Sequence, residues 1–499
     1  MPVYSLEIIV VLLGIAMLML DAFAKLDDKC SIAWLGILGL IIVFGLLFKV
    51  QWPSQEAARG AFWHFYSYGD SMALYYKGMA VLTTLIVLIM AADFGPVVVE
   101  QTARSEQGAH SQAGLGEFFA LPMFACAGLM WMASANNLVS IFVSLETVTI
   151  TFYILVAYLR RNVGSLEAGV KYLILGALST GFLVYGFAWL FGITGSMELP
   201  EIKQVLSEGT IHPATALFAF ALILVGLAFK VGGAPFHTWI PDVYQGAPTP
   251  ITAFLSVGSK AAGFIVFLRI SSLFLASHVL VGQVSIILTV IAILTLIMGN
   301  AGALPQTNFK RLMGYSSVAH AGFLLMALAC SPRISQAAES LTPAAVIAFY
   351  LGAYLLMTLL AFLVMTNVRV KGGGEDLDSY RGLFRRSPFS AVAMLVSMSS
   401  LAGVPLTAGF FGKFFVFSLA VQQGRWILLI VASICASLGF YYYLKIAASM
   451  FMSASDGKGP ERVPSGISVS LPARIAIVFL MVGTVLAGFD PNLIFGLFQ

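Results

Sequence analysis

Long apolar runs constrain this chain more than any other feature of its sequence. Runs of about 18 to 25 residues recur along the chain, and each can cross a hydrocarbon core of roughly 30 Å at 1.5 Å per residue. Only helices and closed barrels satisfy their backbone groups in lipid, and runs this long indicate helices. We predict fourteen spans, approximately at 3–22, 31–50, 72–91, 116–134, 137–158, 165–192, 211–231, 250–276, 281–303, 308–330, 343–367, 389–421, 426–449 and 470–490.

The composition agrees with an all-α polytopic membrane protein. Hydrophobic residues make up 59% of the 499 and charged residues 10%, against roughly 25% charged in a soluble domain. The cysteines Cys30, Cys126, Cys330 and Cys435 stand singly, without a CxxC pair, so the sequence indicates neither zinc nor an iron–sulfur centre. It also lacks a GxGxxG turn behind a strand, a Walker A loop and a helical histidine pair suited to haem. We therefore expect no metal or cofactor in this chain.

The basic residues predict the orientation of the chain. With the N-terminus outside, sixteen of the 27 Lys and Arg fall in loops on the cytoplasmic side: Lys25, Lys29, Arg104, Arg160, Arg161, Lys310, Arg311, Arg369, Lys371, Arg381, Arg385, Arg386, Lys445, Lys458, Arg462 and Arg474. Six fall on the outer side: Lys49, Arg59, Lys203, Arg269, Arg333 and Arg425. This asymmetry follows the positive-inside rule and predicts both termini outside. The net charge of +4 then reports topology rather than nucleic-acid binding.

Charged residues inside the spans are the candidates for function. A charge near the bilayer centre costs about 2.5 to 3.5 kcal/mol on insertion scales, so such residues usually face a bundle interior or a water-filled cavity. Several in one chain suggest a path for an ion. The predicted spans contain Lys77, Glu146, Lys171, Lys230, Lys260 and Lys413.

Glu146 and Lys230 lie where a charge is hard to bring to the membrane surface. Glu146 is about eight residues from either end of its span. Lys230 closes an apolar run and precedes Gly232, Gly233 and Pro235, which is typical of a broken helix whose free backbone groups need protein or cavity water. The alternatives are a protonated glutamate in a helix–helix hydrogen bond, and a helix that simply ends at Lys230.

Lys260 and Lys413 complete the strong candidates. Lys260 lies about ten residues into its span among small residues, which leave room for close helix packing and for water. Lys413 follows the glycines and Pro405 of SLAGVPLTAGFFGKFFVF, a second interrupted helix. Two broken spans in the two halves of a chain are typical of a transport path built from inverted repeats. The alternatives are a lysine that pairs with a carbonyl for packing, and an interfacial anchor.

Four further residues are weaker candidates. Lys171 follows Glu167 by one turn and could form an ordinary i,i+4 ion pair. His237, in APFHTWIPD, could relay a proton or could be a structural hydrogen-bonding residue, and His320 could line the same path. We expect Lys77, near the start of its span, to extend to the interface. The other four histidines are expected in loops: His64, His110, His212 and His278.

Five stretches between residues 116 and 420 carry a resemblance to a known family. They read GEFFALPMFACAGLMWMASANNLVSIFVSLE, SLEAGVKYLILGALSTGFLVYG, KVGGAPFHTWIPDVYQGAPTPITAFLSVGSK, NFKRLMGYSSVAHAGFLL and DLDSYRGLFRRSPFSAVAMLVSMSSLAGVPLTAGFFGKF. They resemble the antiporter-like subunits of the bacterial proton-pumping NADH:quinone oxidoreductase, complex I. LEAGVKYLILGA, PDVYQGAP and SLAGVPLTAGFFGKF are most similar to the subunit N branch. The first hundred residues match less distinctively.

The resemblance implies fourteen helices that contain two inverted five-helix repeats, each with a broken helix. The predicted divisions are 1–115, 116–276, 277–449 and 450–499. Glu146 then matches the family's glutamate on the fifth helix, Lys230 the lysine on the broken seventh, Lys260 the central residue on the eighth and Lys413 the exit lysine on the broken twelfth. These residues would move protons from the cytoplasm outward, with Glu146 stabilising the ammonium form of Lys230 when the two are close.

The resemblance also implies partners and a location. We expect the chain in the bacterial inner membrane, beside other antiporter-like subunits and small quinone-side subunits of complex I. NADH, FMN, iron–sulfur clusters and quinone would belong to partner subunits. The rival hypotheses are an Mrp-type sodium/proton antiporter subunit, a membrane-bound hydrogenase subunit, and a non-conducting assembly scaffold whose buried lysines only pair helices.

Overall fold

The chain folds into a bundle of membrane-length helices. The computed structural model describes residues 4–24, 29–50, 71–102, 112, 114–330, 342–371, 373–452 and 469–498. Some residues named above lie outside these ranges, namely Lys25, Arg59, His64, Arg104, His110, Arg333, Lys458 and Arg462. The elements of the described part are helices, joined by turns and by two isolated β-bridges.

The elements fall into three consecutive groups. The first three helices are α1 (Ser5–Phe23), α2 (Cys30–Leu47) and α3 (Ser71–Thr102). The next group is α4 (Leu115–Ser134), α5 (Leu138–Val156), α6 (Val163–Thr194), α7 (Leu199–Glu208), α8 (Pro213–Val231), α9 (Trp239–Gly246) and α10 (Thr249–Leu275). The last group is α11 (Val281–Ala303), α12 (Phe309–Ala329), α13 (Pro343–Val370), α14 (Leu383–Arg386), α15 (Pro388–Ala402), α16 (Ala408–Gln422), α17 (Trp426–Phe451), α18 (Leu471–Phe489) and α19 (Asn492–Phe495).

The fourteen predicted spans correspond to these helices. In the described ranges thirteen helices are long and apolar enough to cross a membrane. The remaining predicted span, 389–421, is divided between the shorter helices α15 and α16. The predicted fold class is confirmed, whereas the residue limits of the four predicted divisions stay a prediction.

Glycines in the left-handed conformation end the first half of both broken helices. α8 ends before Gly232, whose φ is 84°, and α15 ends before Gly403, whose φ is 89°. This conformation is costly for residues with a Cβ atom and closes a helix with the hydrogen bonds of a C-cap. Pro235 and Pro405 follow, and a proline without an N–H cannot continue the helix ladder. The sequence signal for both breaks is therefore local.

A repeated backbone pattern relates the second and third groups. Asn137 forms an isolated antiparallel bridge with Glu198, and Asn308 forms the same bridge with Asp376. Each asparagine is also the N-cap of the following helix, α5 or α12, and accepts a hydrogen bond from a backbone N–H of its first turn. The second helix of each five-helix repeat therefore begins with the same combination of a β-bridge and an asparagine N-cap.

Both ends of the described chain lie at one face of the bundle. Ser71, at the start of α3, donates a hydrogen bond to the carbonyl of Phe498 at 2.7 Å. At the other end of α3, the hydroxyl of Ser470 donates to Asp93 at 2.7 Å. α18 therefore runs antiparallel to α3. Because Glu7 in α1 pairs with Lys77 near the start of α3, the N-terminal end shares this face.

The middle of the bundle is formed by α10, α12 and α13. In the apolar stretch of α12, 94% of residues are buried, compared with 33% in α6. Large apolar side chains such as Val170, Ile174 and Leu178 lie exposed along α6. A surface of this kind suits lipid. Polar groups on these three central helices are therefore the most shielded from lipid and water.

Three charged residues do not lie where the sequence predicted. The expectation that Lys77 extends to the interface is wrong, because its side chain is fully buried against Glu7. Arg269, counted with the residues on the outer side, is instead buried near the end of α10, with 8% exposed. Lys310 was assigned to a cytoplasmic loop but lies in α12, buried in an ion pair with Glu375 at 2.9 Å. In each case the sequence did not reveal the partner that makes burial possible.

Candidate functional site

The two broken helices carry Lys230 and Lys413 on opposite sides of their breaks. Lys230 is the second-last residue of α8, and Lys413 lies in the second turn of α16. Both side chains are 8% exposed. A lysine at such a break can meet backbone groups that the helix does not satisfy. Both breaks therefore place an ammonium group deep in an apolar bundle, close to the end of a half-helix.

Glu146 and Lys230 each contact a threonine hydroxyl. The Lys230 ammonium donates to Thr149 Oγ1 at 2.6 Å, and Glu146 Oε1 accepts from Thr180 Oγ1 at 2.9 Å. No direct ion pair joins the two charges among the contacts of these described residues. Thr149 lies on α5 three residues after Glu146, so both present their side chains to the same face of that helix. Lys230 therefore binds a neighbour of Glu146 on the same helix and forms no direct ion pair with Glu146 itself.

Lys260 reaches from α10 to α12. It follows a π-helical turn at Leu255–Ser259, which lies within α10. Such turns are rare and are frequent at functional sites. Its ammonium donates to the carbonyl oxygen of Ser317 and, at 2.5 Å, to the Ser317 hydroxyl. It also lies 5.1 Å from the centre of the Tyr354 ring.

Close packing brings the helices of Lys230 and Lys260 together. Gly263 lies one turn beyond Lys260, and a Cβ atom placed there would meet Val231 at 3.0 Å and the Cβ of Lys230 at 3.8 Å. A side chain at this position would require Val231 to shift, so glycine favours the close approach of α8 and α10. The two lysines therefore belong to neighbouring turns of contacting helices.

His320 lies between two tyrosine hydroxyls. Its Nδ1 is 2.7 Å from the hydroxyl of Tyr350, and its Nε2 is 3.2 Å from the hydroxyl of Tyr443. Tyr443 is also hydrogen-bonded to Ser316, the neighbour of the serine that Lys260 binds. The ring of Tyr354, which faces Lys260, lies 5.1 Å from the imidazole centre. His320 is therefore linked to the surroundings of Lys260 by hydroxyl and aromatic groups.

Lys413 caps the broken end of the preceding half-helix. Its ammonium donates to the carbonyls of Leu401 at 3.0 Å and Ala402 at 2.7 Å, and lies 5.5 Å from the Phe323 ring centre. A cation at a helix C-terminus is favoured by the helix dipole. Tyr350, the partner of His320, packs against Gly412 beside this lysine. Tyr350 thus connects the histidine to the helix turn that bears Lys413.

The partners of the three lysines share one property. Lys230, Lys260 and Lys413 all donate to uncharged oxygen atoms, from hydroxyl or carbonyl groups. Lys310, by contrast, is buried in contact with a carboxylate. An uncharged partner accepts a hydrogen bond from either an ammonium or an amine, so it does not require the lysine to be charged. This arrangement suits groups that gain and lose protons.

Two predicted candidates lie away from this buried line. Lys171 is partly exposed and forms ion pairs with Glu167 at 2.7 Å and with Asp242 at 2.8 Å. The spacing in the sequence had indicated the pair with Glu167. Arg311 binds the other oxygen of Asp242 at 2.6 Å, which ties α6, α9 and α12 together. His237 is 4% exposed, but none of its described hydrogen bonds reaches the lysines. The structure thus unites Glu146, Lys230, Lys260, His320 and Lys413, and separates Lys171 and His237 from them.

Two cavities open beside this ion-pair cluster. They have volumes of about 350 and 210 Å³, and both are lined by Asn162, Gln245, Gly246 and Glu375. The larger one includes Lys171 and Asp242, and the smaller one Lys310. In the described ranges no group of three His, Cys, Asp or Glu side chains could hold a metal ion.

Sequence reasoning missed the hydroxyl groups that join the charged residues. A useful signal was present, since polar residues occur in pairs inside apolar runs in GYSSVAH and in FYYYL. Such pairs are common packing residues in membrane helices, so they do not predict a contact by themselves. The residues in question are Thr149, Thr180, Ser316, Ser317, Tyr350, Tyr354 and Tyr443.

Comparisons with known proteins agree with this geometry. Residues 135–439 match the family model described as NADH:quinone oxidoreductase/Mrp antiporter, transmembrane. The chain is 37% identical over 491 residues to NADH-quinone oxidoreductase subunit N of Trichlorobacter lovleyi, which covers 98% of this chain and 94% of the relative. It also resembles a chain of respiratory complex I from Thermus thermophilus with bound aureothin, with a TM-score of 0.75, 29% identity and 98% of each chain covered.

A more distant likeness concerns the fold alone. A chain of the Mrp complex from a Dietzia species matches with a TM-score of 0.76 at 20% identity, covering 99% of this chain and 96% of that one. The family model covers more than half of the 499 residues, and the relative from Trichlorobacter lovleyi extends the match to nearly the whole chain. The chain therefore belongs to the NADH:quinone oxidoreductase/Mrp antiporter transmembrane family, with a relative named subunit N of NADH-quinone oxidoreductase.

Proposed function

We propose that this chain is the proton-translocating membrane subunit of a respiratory NADH:quinone oxidoreductase, and that protons pass along Glu146, Lys230, Lys260, His320 and Lys413. One observation carries the proposal. His320, linked through two tyrosines, lies between the surroundings of Lys260 and the helix turn of Lys413. A histidine with hydroxyl partners on both ring nitrogens can take a proton on one nitrogen and give it up from the other.

Lys260 holds the proton at the centre of this path. Its partners on α12 are the carbonyl and hydroxyl of Ser317, and the same hydroxyl is 3.0 Å from the Tyr244 hydroxyl. A proton that leaves Lys260 can pass through hydroxyl groups or water toward His320, and the neutral amine keeps its hydrogen bonds to serine. The loss of the charge then removes the desolvation cost of a buried ammonium.

Glu146 controls the charge of Lys230 in this mechanism. When Lys230 leaves Thr149 for Glu146, the carboxylate stabilises the ammonium form. When it returns to the threonine, an uncharged oxygen replaces the carboxylate and the proton can move on to Lys260. Glu146 and Thr149 lie on one face of α5, so both face the side chain of Lys230.

The direction and the driving energy depend on partner proteins. We place both termini on the outer side of a bacterial inner membrane, so that the cavities beside Asp242 face the cytoplasm and supply protons to Lys230. Other antiporter-like subunits and small quinone-side subunits are the proposed neighbours. NADH, FMN, iron–sulfur clusters and quinone belong to the partners, and their energy reaches this chain as an electrostatic or conformational signal.

The transported ion distinguishes this function from that of an Mrp-type antiporter, the nearest rival hypothesis. An Mrp-type antiporter would exchange sodium for protons, whereas a subunit of the oxidoreductase would move protons when NADH is oxidised. The oxidoreductase is favoured because the chain is 37% identical, over nearly its whole length, to a relative named subunit N. Its sequence identity to the Mrp chain is 20%. A non-conducting scaffold would need the buried lysines only for assembly.

Lys260 offers a direct test of the function. In vesicles containing the assembled complex, Lys260→Met and Lys260→Arg should each lower NADH-driven proton uptake, because neither side chain can carry and release the proton. Lys203→Met is the matched control, since this lysine is exposed on α7. Full proton uptake in both Lys260 variants would exclude a path through this residue. Sodium uptake in place of proton uptake in the unmodified complex would favour the antiporter.

A further inference from the structure

Lys310 lies in the wall of the smaller cavity, on the side of the bundle where the proposed path takes up protons. This cavity of about 210 Å³ is lined by Lys310, by Glu375 and by residues 245–248, among others. The Lys310 side chain is 3% exposed and forms its ion pair with Glu375 at 2.9 Å. Its ammonium also donates to the carbonyl of Ala247 at 2.9 Å. The proposed path through Lys230 does not use this charge.

Tyr244 connects the wall of this cavity to the surroundings of Lys260. Its backbone directly precedes residues 245–248 of the cavity lining. Its hydroxyl lies 3.0 Å from the Ser317 hydroxyl, to which the Lys260 ammonium donates. A single side chain therefore separates the cavity wall from the partner of Lys260.

The carbonyl of Ala247 places Lys310 at the start of this short route. It accepts the hydrogen bond from Lys310 and lies 3.5 Å from the hydroxyl of Thr252, which donates to the carbonyl of Tyr244 at 3.1 Å. Lys310 and Ser317 are seven residues apart on α12, so both lie on one face of the helix, about 10 Å apart along its axis. Lys310 thus lies between the cavity and the polar groups that lead to Lys260.

A proton that took this short route would bypass Lys230 and Glu146. In the proposed function these two residues determine when a proton reaches Lys260. An open bypass would let protons return from the outside through Lys413 and Lys260 to the cytoplasm, driven by the gradient that the complex builds. A chain that pumps therefore needs a barrier between the smaller cavity and Lys260.

The contacts of Lys310 suit a fixed positive charge. Glu375 Oε1 accepts its hydrogen bond, and Arg369 Nε lies 3.8 Å from the same oxygen. A carboxylate in contact favours the ammonium form of a lysine. This ammonium occupies the Ala247 carbonyl, where a hydrated proton would otherwise bind. A unit charge about 10 Å away lowers the population of a second cation by roughly tenfold at an effective dielectric constant of about 20.

We propose that the Lys310 ammonium, held in place by Glu375, is an electrostatic barrier that blocks direct passage of protons from the smaller cavity to Lys260. Fixed positive charges exclude protons from membrane pores in the same way. The proposal rests on the proposed function and adds the residue that makes Lys230 the obligatory first carrier.

Three variants test the barrier through proton leak rather than pumping. Lys310→Met removes the charge, and Glu375 keeps Arg369 as a neighbouring cation. Lys310→Arg keeps the charge, because an arginine stays protonated in proteins. The double variant Lys310→Met with Lys260→Met opens the barrier but removes the carrier behind it. Lys445→Met is the control, since it removes an exposed lysine of α17.

The measurement is proton flux under an imposed pH gradient, without NADH, in vesicles that contain the assembled complex. We expect Lys310→Met to raise the leak by roughly tenfold, and Lys310→Arg, Lys445→Met and the double variant to leak no more than the unmodified complex. An unchanged leak in Lys310→Met would overturn the proposal. The same leak in Lys310→Arg or in the double variant would also overturn it, as would failure of Lys310→Met to assemble, which would assign the ion pair to folding.

NADH-driven proton uptake in Lys260→Met separates this proposal from the proposed function. Normal uptake in that variant would reject the path itself. Lost uptake there, together with an unchanged leak in Lys310→Met, would reject only the barrier.

Discussion

The Lys413 ammonium donates a hydrogen bond across the break of its own helix pair to the carbonyl of Ala402, 2.7 Å away. Gly403 makes this contact possible, since its φ of 89° turns the chain sharply after α15. The lysine therefore satisfies a free end of the backbone and is also the last protonatable group of the proposed path. A change in the geometry of the break should affect proton transfer even when the lysine is kept.

Gly403→Ala tests this link. The substitution costs roughly 1 to 2 kcal/mol in the left-handed conformation, and the new Cβ would meet Lys413 Cδ at 3.1 Å. We expect NADH-driven proton uptake to fall, because the lysine must shift. Gly424→Ala is the matched control, since Gly424 also has a positive φ but has no atom within 4 Å of an added Cβ. Equal proton uptake in the two variants would show that the position of Lys413 is not important.

A second prediction concerns the switch at Glu146. Glu146→Gln removes the charge with little change in shape, and should slow proton uptake by roughly ten- to a hundredfold if a charged hydrogen bond of about 1.5 to 3 kcal/mol is lost in the limiting step. Glu146→Asp keeps the charge and should retain a substantial part of the uptake. Stopped-flow proton uptake measures both. Equal losses in the two variants would favour a packing role.

Thr149→Val provides the complementary change. It removes the hydroxyl that holds Lys230 apart from Glu146 and preserves the branched shape of the side chain. We expect the lysine to stay with the carboxylate, so that proton release slows while proton binding remains. A variant that pumps normally would show that the threonine is not the alternative partner.

The third prediction concerns the two tyrosines that contact His320. Tyr350→Phe and Tyr443→Phe each remove one hydrogen bond to the imidazole, worth about 0.5 to 1.5 kcal/mol, so each should slow proton uptake by roughly two- to tenfold. Tyr442→Phe is the control, because its hydroxyl donates to Asn300 at 3.3 Å and not to the histidine. An effect of the same size in Tyr442→Phe would indicate a general requirement for hydroxyl groups in this region.

The helices themselves were predictable from the sequence because the membrane imposes one rule on every span. Apolar length decides where a helix crosses, and glycine followed by proline decides where α8 and α15 end. The division of the predicted span 389–421 into α15 and α16 was visible in the same motif. By contrast, the β-bridges of Asn137 and Asn308 could not be predicted, since they pair residues 61 and 68 positions apart.

The site was only partly predictable. Glu146, Lys230, Lys260 and Lys413 stood out because an isolated charge in an apolar run is expensive. His320 carried a weaker signal, because a lone histidine says little without its neighbours. The hydroxyl partners depend on the packing of α12 against α10, α13 and α17, which no local pattern encodes.

The burial of Glu7 and Lys77 also could not be predicted from the sequence. Both residues lie within about two turns of a helix start, a place where long side chains usually extend to the interface. Their burial follows from the packing of α1 and α3 against α2 and α4, which brings the two opposite charges together. Position along a span is therefore a poor guide to burial when the partner is unknown.

The most direct test of the central claim compares Lys230→Met, Lys413→Met and the double variant. Both lysines would serve one path, so the double variant should lose little more proton uptake than the worse single variant, although the two residues lie on different broken helices. The measurement is proton uptake per NADH oxidised in vesicles that contain the assembled complex. We predict a large loss in each single variant and no further loss in the double variant. Full proton uptake in Lys230→Met, or strictly additive losses in the double variant, would contradict a single proton path through this chain.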